Sequence, residues 1–290
     1  MTDTRTLRVL EPASGVFAYY DGRVPGLRLH SAAPNWLDDG AYSLGIASYS
    51  VVDGSEAIVF DSHISLDHAR AVRSHLEGLG VNRITLVLSH WHDDHVAGNA
   101  VFSDGPIIAH RQTRNALAAN RDKLESGDPP ISPLVLPTEI FDDSLMLTVG
   151  TRTVEAVHFA IHSADGVVLR LTDAGLLLAG DVVEDTITFI SEAEHTPEHI
   201  AELGRLAALP FRHILPAHGA PERIAGGGYD VGIINANRNY LRRLLAGEGR
   251  DGTPLSAFVA EDVAAGRIGY FEPYEAVHQA NLKALAAAGL

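Results

Sequence analysis

Residues 88–102 read LSHWHDDHVAGNAVF, and they follow directly on the apolar run Ile84-Thr85-Leu86-Val87-Leu88. Charged and imidazole side chains packed this densely repel one another and compete for the same water. A chain that carries them off the end of a buried strand must gather something to compensate them. Alternation along a loop leaving a strand aims His90 and His92 to one side, and the turn that follows swings Asp94 and His95 to an adjacent point. Two such pairs, some ångströms apart, suit two metal ions better than one. Zinc takes about four nitrogen or oxygen ligands, so the cluster alone is short of them.

Three later positions can make up the set. His162 in AIHSADGVVL stands just before an apolar strand, Asp181 in LLLAGDVV just after one, and His218 in HILPAHGAP after another. Cysteine is absent from the sequence, which removes disulfides, thiolate nucleophiles and sulfur-ligated zinc, and leaves His, Asp and Glu as the strong ligands.

Turn and periodicity signals place these residues. AYSLGIASYSVVDGSEAIVFDSH reads as two strands turning at Asp53-Gly54. Leu66, Ala69, Val72, Leu76 and Leu79 then recur at helical spacing, with Gly78 or Gly80 to end the helix. The strand ending at Ser89 follows, so the histidine cluster lies at a strand's carboxyl end, where ligand sites of layered α/β folds gather. A second hairpin is expected at Asp173-Ala174-Gly175. Thr196-Pro197 should open a helix, with Thr as cap and Pro in the first turn. The prolines of ESGDPPISPLVLP mark a loop. We take 1–225 as one α/β domain and 226–290 as a helical extension packed on it. In that extension Ile233, Ala236, Tyr240 and Leu244 form one stripe, and Glu272-Pro273 opens a last helix running through Leu285.

HWHDDH matches the H-x-H-x-D-H motif of the metallo-β-lactamase superfamily of hydrolases. HSADG resembles that family's second histidine loop, GD its bridging aspartate and AHG its last histidine, in the same order from about Tyr42 to His218. The resemblance implies an αββα sandwich, two facing sheets with helices outside, and a two-metal site at one edge. It assigns His90, His92 and His162 to one metal and Asp94, His95 and His218 to the other, with Asp181 bridging. Two zinc ions are the expected cofactors, with iron or manganese as alternatives. Two divalent ions ~3.5–4 Å apart can hold a hydroxide whose parent water has its pKa lowered toward ~7, ready to attack a carbonyl carbon. Asp94 is the expected proton shuttle and Asp93 lies outside the ligand set.

With an aspartate at 181 and no cysteine, the cysteine-ligand β-lactamase branches cannot be matched. The bridging aspartate is instead similar to that of lactonases and glyoxalase II-like thioesterases. Glyoxalase II itself fits poorly, since Arg238, Arg242 and Arg243, the basic group of the tail, read as a solvated face. Two alternatives remain: a single-iron persulfide dioxygenase, and β-lactam amide hydrolysis as a main or side activity. The substrate is expected to be a small molecule carrying an ester, lactone, thioester or amide, with Trp36, His195 and Tyr229 as candidate contacts and Trp91 packed beneath its loop. The formal charge of −15 disfavours nucleic acid and anionic membranes as partners. The opening MTDTRTLRVLEPASG lacks the apolar core of a signal peptide, and a cytoplasmic location is expected. The sequence leaves oligomeric state open.

Overall fold

The computed structural model describes residues 2–290, and turn chemistry accounts for much of it. β1 (Arg8–Ala13) and β2 (Val16–Asp21) form an N-terminal hairpin at Gly15 that the sequence reading did not anticipate. At Asp53-Gly54 the chain turns from β3 (Ile46–Asp53) into β4 (Glu56–Phe60). Gly54 sits at φ +60°, a backbone conformation open to glycine because it has no Cβ. α1 (Leu66–Gly78) then carries the chain back to β5 (Arg83–Val87), which lies parallel to β4, as a helical crossover requires. Beyond β5 come α2 (Asp93–Val96), β6 (Ile107–His110), α3 (Arg111–Ala119), α4 (Arg121–Glu125) and β7 (Glu139–Phe141). Strands β1 to β7 form one seven-stranded sheet in sequence order.

The second sheet has five strands in the order β12-β11-β10-β9-β8. These are β8 (Ser144–Val149), β9 (Arg152–His158), β10 (Val167–Leu171), β11 (Leu176–Gly180) and β12 (His213–Pro216). The hairpin expected at Asp173-Ala174-Gly175 joins β10 to β11, with Gly175 at φ +63°. The remaining helices are α5 (Thr196–Ala207), α6 (Pro221–Ala225), α7 (Gly232–Leu245), α8 (Leu255–Phe258), α9 (Ala260–Ala264) and α10 (Tyr274–Ala287). Thr196 is the first residue of α5 rather than its cap, and its hydroxyl donates to Ala193 O at 2.7 Å.

Strand alternation sorts the apolar residues into layers. Val16, Ala18 and Tyr20 of β2, Tyr49 of β3 and Phe60 of β4 meet Val154, Val167, Leu169, Leu176 and Leu178 of the second sheet in a buried core between the sheets. Tyr19, Val59 and Leu86 face the other way and pack with Ala69, Val72 and Leu76 of α1. On the outer side of the second sheet, Val168, Leu177 and Ala179 pack with Leu203, Ile233, Tyr240, Leu244, Tyr274 and Leu285. This is the αββα sandwich. Covering both faces explains why β11, LLLAG, reads as a continuous apolar run instead of an alternating one.

Candidate metal centre

The sheets deliver their polar residues to one edge. Asp61 follows β4, the histidine cluster follows β5, His162 precedes β10, Asp181 follows β11 and His218 follows β12. Asp61, His63 and His162 have φ of +67°, +71° and +66°. Non-glycine residues rarely enter this region, and strain of this kind persists only where the surroundings fix it. Close packing contributes. A Cβ on Gly180 would stand 2.6 Å from Ser89 Cβ, and one on Gly98 would stand 2.1 Å from Ser62 O. Both glycines let neighbouring turns approach the site.

Two groups of donors result: His90, His92 and His162, and Asp94, His95, Asp181 and His218, each able to offer one atom apiece within 4.8 Å of the others. In the first, His92 Nδ1 lies 2.9 Å from both His90 Nε2 and His162 Nε2. Burial pushes all three imidazoles below their usual pKa, His92 to about 3, so neutral rings point nitrogen at nitrogen. In the second, burial also works against charge on His95 and His218, but Asp181 and Asp94 outweigh it and hold both well above the usual range. His95 and His218 in turn hold Asp181 well below the carboxylate range, although burial alone would raise it. The spot demands positive charge.

The residues fit metal ions. Asp181 Oδ1 is buried and without a hydrogen-bond partner, which is costly for a carboxylate oxygen unless a cation takes it. The converging atoms are nitrogen and oxygen, a set that suits zinc. The far nitrogens are also engaged, as metal-binding histidines require for orientation. His218 Nδ1 donates to Gly45 O at 2.7 Å, His162 Nδ1 to Phe189 O at 3.2 Å, and His90 Nδ1 meets Ser89 Oγ at 2.9 Å.

Asp61 holds His95 in the same way, with Oδ2 2.9 Å from Nδ1, while its Oδ1 accepts from Ser89 N at 2.7 Å. The sequence reading passed over Asp61. Its signal was available, because AIVFD ends an apolar strand with an aspartate just as LLLAGD does. Glu184 had no such signal. It is buried, its pKa pushed up to about 8 by burial, and it accepts from Phe189 N at 2.7 Å and from the Tyr274 hydroxyl at 3.1 Å.

A model of the metallo-beta-lactamase superfamily matches residues 42–245. The chain belongs to the metallo-β-lactamase superfamily. Members of this superfamily are metal-dependent hydrolases. Among solved structures, DIM-1 metallo-beta-lactamase superposes with a TM-score of 0.64 at 15% identity, covering 84% of this chain and 100% of that one. A metallo-beta-lactamase from Pontibacter korlensis gives 0.62 at 18%, covering 81% and 99%. At these identities the likeness is one of fold. The linear primary-alkylsulfatase of Pseudomonas sp. (strain ATCC 19151) is 24% identical over 57% of this chain and 39% of its own length. Lactamase-like protein vrtG of Penicillium aethiopicum is 30% identical over 50% and 42%. This chain thus spans less than half of either relative.

In this superfamily member the donor groups open onto a cavity of about 620 Å³. Its floor includes His92, Asp94, His162, Asp181 and His218, and its walls include both tryptophans, Trp36 and Trp91. Trp36 belongs to a wide helical turn over residues Trp36–Tyr42, and its indole donates to Pro129 O at 2.9 Å. Trp91 packs under its loop as expected and also faces the cavity, with the Lys123 ammonium 5.5 Å from its ring centre. Asp93 lines the cavity outside both donor groups.

Two candidate contacts lie elsewhere. His195 is half exposed and pairs with Glu198 at 3.5 Å, away from the cavity lining. Tyr229 is buried, its hydroxyl saturated by donating to Asp185 Oδ2 at 2.7 Å and accepting from Ala220 N at 2.8 Å. Neither is among the residues lining the cavity. Among the described residues no helix is long and apolar enough to cross a membrane.

Proposed function

We propose that this protein is a two-zinc hydrolase that opens a small-molecule ester, lactone, thioester or amide at its carbonyl carbon. The observation that carries this reading is the place of Asp181 Oδ2. It lies 3.2 Å from His95 Nε2 and 3.5 Å from His218 Nε2, and 3.7 Å from both His90 Nε2 and His162 Nε2. One carboxylate oxygen therefore belongs to both donor groups, and a single ion would leave one group without a cation.

His90, His92 and His162 would hold one ion, Asp94, His95 and His218 the other, and Asp181 both. Such a pair supplies Lewis acidity toward a carbonyl oxygen and lowers the pKa of water to ~7. The chain does the rest. Asp94 faces the cavity with its carboxylate between His95 at 3.5 Å and His218 at 3.3 Å, placed to take a proton from water and return it to the leaving atom. Trp36, Trp91 and Phe189 give the cavity walls large apolar surfaces. An aspartate at 181 in a chain without cysteine supports the lactonase- and thioesterase-like branch.

The alkylsulfatase relative favours one second reading, a sulfate ester as the scissile bond. Metal analysis and one substrate panel test both. We expect about two zinc ions per chain and turnover of at least one carbonyl bond, abolished by exhaustive chelation and restored by zinc. Turnover of alkyl sulfate alone would move the bond from carbon to sulfur. One iron per chain with oxygen uptake, or activity in a verified metal-free protein, would overturn the proposal.

A further inference from the structure

The last helix lies beyond the stretch that the family model matches, which ends at residue 245. It nevertheless forms part of the cavity. Ala276, Val277 and Ala280 of α10 line the same space as Asp94, Asp181 and His218, and their spacing puts them on one flank of the helix. Phe189 lines it too, with 39% of its surface exposed. Phe189 and this helix flank thus offer apolar surface to the same cavity.

These two walls are tied together. Asn281 of α10 accepts from Ile190 N at 2.8 Å and donates to Thr188 O at 2.9 Å, gripping the backbone on both sides of Phe189. Tyr274 of α10 donates to Glu184, which in turn accepts from Phe189 N. The space between Phe189 and the helix is thus preformed, which spares a ligand the cost of ordering it. The two alanines keep it open, since any larger side chain at 276 or 280 would project into the lining.

We infer that α10 selects the substrate's tail. The cavity takes an acyl or alkyl chain whose reactive head lies over Asp94 and Asp181 and whose apolar body lies between Phe189 and the Ala276, Val277 and Ala280 flank. An anionic tail is disfavoured, because Asp39, Asp93 and Glu192 also line the space and Lys123 is the one lysine or arginine among the lining residues. The inference rests on the hydrolase reading for its head group but not for its tail.

The experiment uses the zinc-loaded protein and straight-chain alkyl hydroxamates from acetyl to octanoyl as binding probes, beside turnover of the matching esters, thioesters and alkyl sulfates. Each added methylene that the walls cover should tighten binding about fourfold. Ala280→Phe should cut the octanoyl-to-acetyl affinity ratio at least tenfold with metal content unchanged. Ala286→Phe, on an exposed position of the same helix, should leave the ratio as in the wild type. Affinity independent of chain length in the wild type, or equal ratios in the two variants, would overturn the inference. Rising affinity with no turnover of any bond would leave the tail site standing and sink the hydrolase reading. Turnover that ignores chain length would do the reverse.

Discussion

The floor and the far wall of the cavity are built by opposite means. The floor draws its side chains from the ends of strands in both sheets, holds His162 and the neighbouring Asp61 and His63 in left-handed backbone, and fixes the far nitrogens of its histidines with carbonyls and carboxylates. Moving any one donor there disturbs the others. The far wall is a helix anchored by Tyr274, His278, Asn281 and Leu285, all buried, while a different flank meets the cavity. Ala276 and Ala280 can change without touching that anchor, whereas Val277 also packs against it. Chemistry and selectivity are therefore separable in this molecule, and substitutions in the two regions should fail differently.

The sharpest contrast comes from Asp181→Asn, which keeps the shape but loses the charge shared by both donor groups. Losing a supporting partner of a metal ligand typically costs ~10–100-fold in affinity or activity, and this direct donor should cost at least ~100-fold in turnover, with metal content falling toward one. Asp93→Asn, in the same loop but outside both donor groups, serves as its control. Wild-type metal content in Asp181→Asn would refute the bridge. Next is Asp61→Asn, which weakens the hold on His95 Nδ1 without removing a donor. Here turnover should fall ~10–100-fold, and zinc should leave the second group at lower chelator concentration than in the wild type.

On the wall side, Asn281→Ala leaves Ile190 N and Thr188 O without their partner. Unfolding free energy should drop by roughly 2–4 kcal/mol, read from denaturant midpoints, while turnover of the shortest substrate changes only a few-fold. A loss as large as that of Asp61→Asn would erase the distinction between the two regions. The smallest effect on turnover should come from Asp165→Asn. Asp165 is buried, its Oδ2 has no partner, and burial pushes its pKa up to about 6. The folded form keeps a proton that the unfolded chain has lost, so this carboxyl costs stability progressively as pH rises from about 4 to about 6. Asn should therefore stabilise the protein at pH 7 by on the order of 2–3 kcal/mol, a gain that vanishes below pH 4. A pH-independent difference in melting temperature would contradict that account.

Much of the floor was legible because metal ligation requires a few residue types at strand ends, and both requirements leave marks in a linear sequence. Asp53-Gly54 and Asp173-Ala174-Gly175 announced their hairpins through the backbone conformations they tolerate. The helical stripe of Ile233, Ala236, Tyr240 and Leu244 is buried as its period requires. The far wall was not legible in the same way. Asn281 meets Thr188 and Ile190 across about ninety positions, and no local pattern marks such a pair. The direction of His195 was hidden for a related reason. Closeness in sequence to Asp181 says nothing about direction, and the chain between them turns the imidazole outward beside Glu198. Tyr229, which follows Gly226-Gly227-Gly228 in sequence, pairs with Ile214 at the edge of the second sheet and is buried there.

The chain has two tryptophans, and both stand on the walls of the cavity. All indole emission from this protein therefore originates beside the space a substrate would fill. Trp91 lies with its ring centre 5.1 Å from that of His92, close enough for a paramagnetic ion such as cobalt at the first donor group to quench it. Trp36, on another wall, would respond to what enters above. Light alone can follow filling of the floor and arrival of a guest, with no label attached.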